Sequence, residues 1–127
     1  MKLRYTILYV EDVAATLAFY RDAFGVETRM LHESGDYGEL DTGATTLSFS
    51  SRALMASLGK NPARPRPDAP AFEIAFETDD VAGAYARALA AGATAVQPPE
   101  RMPWGQTTAY VSDRDGFLVE LCTAVTG

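Results

Sequence analysis

Cysteine, histidine and tryptophan each occur once in 127 residues, as Cys122, His32 and Trp104. One cysteine excludes an intrachain disulfide and a zinc site built from several thiolates. One histidine excludes any site that needs two imidazoles from the same chain. No apolar run approaches the ~20 residues of a membrane helix. The opening Met1-Lys2-Leu3-Arg4 runs into a strand pattern without a secretory apolar core, so a cytoplasmic location is expected. Positive charge is in deficit: 11 Lys and Arg against 17 Asp and Glu give −6. That balance argues against a nucleic-acid partner, which needs a basic surface. It suits solubility and is compatible with a cationic ligand.

The composition that remains is that of a folded domain. Hydrophobic residues make up 47% and charged residues 22%. The length suffices for one domain with a proper core, and a single domain over 1–127 is expected.

Two similar halves are visible. Residues 5–10 are β-branched and aromatic and predict a strand. Asp12 stands where a helix cap belongs. Val13, Leu17, Tyr20 and Phe24 then form one apolar stripe, closed by Gly25. Strands are expected near 27–33, 37–41 and 45–50, separated by Gly35-Asp36 and Thr42-Gly43, with a short helix at 52–58. Residues 59–70 carry four prolines and predict an extended linker. The first order then returns. A strand at 71–78 leads into a helix capped by Asp80 and closed by Gly92, followed by strands near 95–97, 107–112 and 117–122. Asp115-Gly116 marks a hairpin between the last two. Asp12-Val13-Ala14 and Asp80-Val81-Ala82 match at an offset of 68 residues. The expected class is α+β, a tandem pair of βαβββ modules spanning about 1–58 and 71–127.

Alternation within the strands assigns faces. Leu8 and Val10 oppose Tyr5, Ile7 and Tyr9; Leu47 and Phe49 oppose Ser48 and Ser50. Phe72, Ile74 and Phe76 oppose Glu73 and Glu77; Val119 and Leu121 oppose Glu120 and Cys122. Each strand has an apolar face for a helix and a mixed face.

The βαβββ repeat, Phe19-Tyr20-x-x-x-Phe24-Gly25 after Tyr9-Val10-Glu11-Asp12, and the ending Asp115-Gly116-x-x-x-Glu120-Leu121 together resemble the vicinal oxygen chelate superfamily. Glyoxalase I, extradiol dioxygenases and bleomycin-binding proteins belong to it. The resemblance implies a curved mixed sheet forming a cup, with four strand positions that carry His or Glu around a divalent metal in the metal-dependent members. Those positions fall on Tyr5, Ser48, Glu73 and Glu120. Two carboxylates, a hydroxyl and a phenol make a poor site for nickel, zinc or iron. No tightly bound metal or other cofactor is therefore expected, and weak magnesium or calcium binding is the exception allowed. Classical glyoxalase I activity is not expected.

Glu73 and Glu120 are the candidate acid/base pair. If they share one face, repulsion and burial should raise the pKa of at least one. Tyr5, Tyr9, Ser48 and Tyr110 are candidate ligand contacts, with Trp104 and Gln106 at the mouth of one cavity. His32 lies at none of the four positions, and Cys122 is expected to be a small apolar filler. Arg52 is read as a solvated side chain, with an anionic partner as the alternative. The expected function is small-molecule binding without the His-containing metal site. The alternative is a magnesium-type lyase, isomerase or dioxygenase acting on vicinal oxygens. A homodimer is expected, as closed two-fold assembly is the common default.

Overall fold

The computed structural model describes residues 1–126, and its chain divides into two compact units, Met1–Arg64 and Pro65–Gly127. The boundary falls inside the proline-rich stretch. The expected α+β class and the doubled βαβββ order are those of the structure.

The first unit runs β1 (Tyr5–Val10), α1 (Val13–Phe24), β2 (Thr28–Leu31), β3 (Tyr37–Leu40), β4 (Thr46–Ser51) and α2 (Arg52–Ser57). Its sheet order is β1-β4-β3-β2, with β1 parallel to β4 and the other pairs antiparallel. Asp12 caps α1 by accepting from Ala15 N at 3.1 Å. Gly25, at φ 70°, ends the helix and donates to Arg21 O. The stripe read from the sequence is the face that packs: Leu17 and Tyr20 are buried with Leu8, Val10 and Phe49. Tyr20 meets Phe49 at 5.1 Å between ring centroids, tilted by 51°. Gly38 lets α1 lie close on β3, since a Cβ there would lie 2.7 Å from Leu17 Cδ1.

The second unit runs β5 (Glu73–Glu77), α3 (Val81–Ala90), β6 (Thr94–Arg101), β7 (Thr107–Ser112) and β8 (Leu118–Cys122). Its sheet order, β5-β8-β7-β6, repeats the first, again with the outer first strand parallel to the last. Asp80 caps α3 by accepting from Gly83 N at 2.9 Å. The β7–β8 turn is held by one carboxylate oxygen: Asp113 Oδ1 accepts from the backbone N–H of Asp115, Gly116 and Phe117. Gly116 there has φ 103°, which disfavours a side chain.

One strand is longer than the sequence reading allowed. β6 continues from Thr94 through Pro98 and Pro99 to Arg101. It is an edge strand, and its register against β7 shifts around Gln97 and Glu100. A proline with no N–H to offer is tolerated there.

Candidate functional site

The polar faces follow from register, because residues paired across a sheet point to the same side. In the second unit Ala75 pairs with Glu120, Glu120 with Tyr110, and Cys122 with Thr108. Glu73, two residues before Ala75, shares that side. The opposite side carries Val111, Val119 and Leu121, all buried. The hydrophobic demand of one face thus fixes the carboxylates on the other.

Glu73, Glu120 and Tyr110 form the most strongly interacting group of this face. The Tyr110 hydroxyl donates to Glu120 Oε2 at 2.8 Å. Burial, then this hydrogen bond and the charge of Glu120, hold the Tyr110 phenol far above its ordinary range. The Glu73 carboxyl is pushed up as well. Partial burial of that carboxyl comes first, although the residue as a whole is exposed; the charge of Glu120 and a hydrogen bond to it follow. The Tyr110 phenol thus orients Glu120, and the Glu73 carboxyl on the same face holds its proton more tightly than a free glutamate does.

Gln106 and Trp104 stand at the end of this unit's β6–β7 turn. Trp104 is 61% exposed, and its Nε1 donates to Gln106 Oε1 at 2.8 Å. Gln106 Nε2 in turn donates to Thr123 O at 2.9 Å, so the indole is tied through the amide to the backbone. Cys122 is buried, and its Sγ lies 3.6 Å from Phe76 O. Burial pushes its thiol up, away from nucleophilic use.

The first unit holds a different set. Tyr5, Tyr9 and Ser48 share one side of β1 and β4, and register adds Tyr37 and Glu39 from β3. Tyr37 and Glu39 were missed by the sequence reading, although the alternation in 37–41 carries the signal. The Tyr37 hydroxyl donates to Glu39 Oε2 at 2.7 Å. Burial, and less strongly Glu39, raise its pKa, while Ser48 works the other way. Ser48 Oγ is buried and has no hydrogen-bond partner of ordinary geometry, although it is near enough to Tyr37 to ease that shift. Tyr5 is exposed, and Tyr9 lies beneath Lys60, whose Nζ is 6.0 Å from the ring centroid.

His32 belongs to a turn, with Nδ1 2.8 Å from Ser34 Oγ. Arg52 is not the solvated side chain expected. It is 12% exposed and ion-paired with Glu11 at 2.7 Å, a partner far away in sequence. Among the described residues, no three His, Cys, Asp or Glu side chains converge as a metal would require. Two carboxylates and a phenol do not fit an imidazole-bound transition metal.

Comparison with known proteins agrees with the topology. The family model of the Glyoxalase/Bleomycin resistance protein/Dioxygenase superfamily matches residues 2–121. YraH of Bacillus subtilis (strain 168), an uncharacterized protein, is 28% identical over 124 residues, covering 95% of this chain and 97% of its own. A glyoxalase-related enzyme from Fulvimarina pelagi superposes with a TM-score of 0.83 at 22% identity, over 98% of this chain and 88% of that one. A glyoxalase/bleomycin resistance protein/dioxygenase family enzyme from Burkholderia phytofirmans PsJN gives 0.83 at 22% identity, over 99% and 100%. TioX from Micromonospora sp. ML1 gives 0.73 at 21% identity, over 97% and 98%. At these identities the structural likenesses speak for the fold.

Proposed function

The chain belongs to the Glyoxalase/Bleomycin resistance protein/Dioxygenase superfamily, and from that premise we propose that it binds a small molecule over the polar face of its second sheet, through Glu73, Glu120 and Tyr110, without a tightly held metal. The observation that carries this reading is that register and alternation put Glu73, Glu120 and Tyr110 on one face, with the Tyr110 hydroxyl hydrogen-bonded to Glu120. Two carboxylates on one face accept a cationic or proton-donating group, because such a group relieves their mutual repulsion. Tyr110 keeps Glu120 oriented while Glu73 takes or gives the proton. Trp104 and Gln106 supply an aromatic surface and an amide at one end. On the matching face of the first sheet, considered by itself, Tyr5 and Tyr9 are the accessible candidate contacts, whereas Ser48 is buried.

The same pair could instead hold magnesium weakly while an oxygenated substrate completes the coordination, giving a lyase, isomerase or dioxygenase. The donor chemistry favours the metal-free reading. The proposal includes a homodimer and a cytoplasmic location. A chain with one cysteine suits a reducing compartment, and among the described residues no helix is long and apolar enough to cross a membrane.

Carboxyl NMR titration together with Trp104 fluorescence tests the reading. Glu73 should titrate above a model glutamate in the native chain and return toward it in Glu120→Gln. Benzylamine, as a cationic aromatic probe, should quench Trp104 and lose affinity in both Glu73→Gln and Glu120→Gln. Affinity unchanged in both variants would sink the proposal. A shift in the Glu73 titration on adding magnesium alone would favour the metal-dependent reading.

A further inference from the structure

A concave region lies wholly within the first unit, and none of the residues discussed for the polar sheet faces lines it. It has a volume of about 620 Å³ and is walled by Glu11, Arg52, Ala53, Ala56, Asn61 and Arg64, with Gly59 and Pro62 in the loop beneath. The volume falls in the range of ordinary small-molecule sites.

Its charge balance is unusual for this chain. Two guanidiniums face one carboxylate: Arg52 reaches Glu11 Oε2 at 2.7 Å and Arg64 reaches the same oxygen at 3.5 Å. Glu11 is the only acid in the wall, so the cavity keeps a net positive charge in a protein whose total is −6. The two arginines are held differently. Arg52 is largely buried and also donates to Tyr9 O at 3.4 Å, so it is fixed. Arg64 is 75% exposed, and its contact with Glu11 is long. Such an exposed pair contributes little and opens readily.

Gly59, at φ 83°, and Asn61, at φ 47°, carry the chain through left-handed backbone around the end of α2. That path brings Arg64 to the same wall as Arg52. Ala53, Ala56 and Pro62 complete the wall with small apolar surface.

The geometry points to a binding site for a small oxyanion with an apolar body, a carboxylate or phosphate monoester, between Arg52 and Arg64. The anion takes Arg64 from Glu11 in a bidentate, charge-assisted contact. Arg52 remains with Glu11 and contributes its field. The apolar body rests on Ala53, Ala56 and Pro62. This site is independent of the glutamate face, which favours the opposite charge.

Amide NMR titration at low salt tests it, with phenyl phosphate, benzoate and inorganic phosphate as probes. The expected result is saturable binding of phenyl phosphate or benzoate, with shifts concentrated in residues 52–64. The tighter of the two probes identifies the head group. Inorganic phosphate should bind more weakly, for want of the apolar contact. Arg64→Ala, a change at an exposed side chain, should weaken binding about tenfold. Glu11→Gln removes the competing carboxylate and should tighten binding severalfold, an outcome that general loss of structure would not give. The proposal is overturned if no probe saturates, if the shifts fall in the second unit, if affinity is the same in Arg64→Ala, or if inorganic phosphate binds as well as phenyl phosphate.

Discussion

The two modules repeat one order of elements around quite different interiors. α1 buries six residues, among them Phe19 and Tyr20, whereas α3 buries only Val81 and Ala88. β4 is buried along its whole length, while β8 alternates before ending in two buried positions. At matching positions the first module has Phe49 and the second Leu121. The outward faces differ in the opposite sense. The first sheet shows Tyr5 and a neutral, buried Ser48 where the second shows Glu73 and Glu120. Topology is therefore set by features the modules share: an aspartate cap, a glycine after the helix, and strands that alternate. Side-chain size and charge are free to diverge on top of it. Here the larger core went to one module and the pair of carboxylates to the other.

Core truncation should separate the modules most. Phe49→Ala removes a fully buried ring packed at a tilt against Tyr20 and should cost about 3–5 kcal/mol by urea denaturation. Leu121→Ala, at the matching position, should cost less, about 2–4 kcal/mol, because a smaller side chain is lost. The reverse order would break the claim that the first interior is the more heavily packed. The caps should show likeness instead of difference. Asp12→Ala and Asp80→Ala each remove one side-chain acceptor from a helix start, and each should cost about 1 kcal/mol.

A loss of stability as the pH rises from acid should belong to the second module. The native Glu73 carboxyl holds its proton more tightly than an unfolded glutamate does. Its contribution is therefore fully present below about pH 4.3 and is lost as the pH rises through the native value. Glu73→Gln should flatten that segment of the stability profile and leave the module more stable at neutral pH. An unchanged profile would mean that neither burial nor Glu120 raises the Glu73 carboxyl in the native state. The smallest effect is expected at Arg66→Ala. It breaks a pair with Asp68 in which both side chains are more than two-thirds exposed, and it should stay within about 0.5 kcal/mol.

Local signals made much of this legible in the sequence. Asp12 and Asp80 announced their helices, and parity put Glu73 and Glu120 on one side of their sheet. What stayed hidden depended on partners distant in the chain. Arg52 reads as solvent-facing until Glu11 is found beside it. Ser48 reads as one residue of a wet face, but β4 lies between β1 and β3 and is buried on both sides. β6 reads as ending at its prolines, because nothing local says that it lies on an edge. The Tyr37–Glu39 pair was visible in alternation but lacked a family position to draw attention to it.

The strand order also has a consequence in time. Tyr5 pairs with Thr46, and Glu73 with Leu118, so in each module the first strand waits for the last. While a ribosome is still making β2 and β3, the newborn β1 has an apolar side and an unfilled row of backbone partners. Strand pairing over that separation is slower than forming local contacts, because the closure entropy must be met before the pairing rewards it. A chain stalled before residue 46 would present a sticky, half-made sheet, the kind of nascent species that holding chaperones bind.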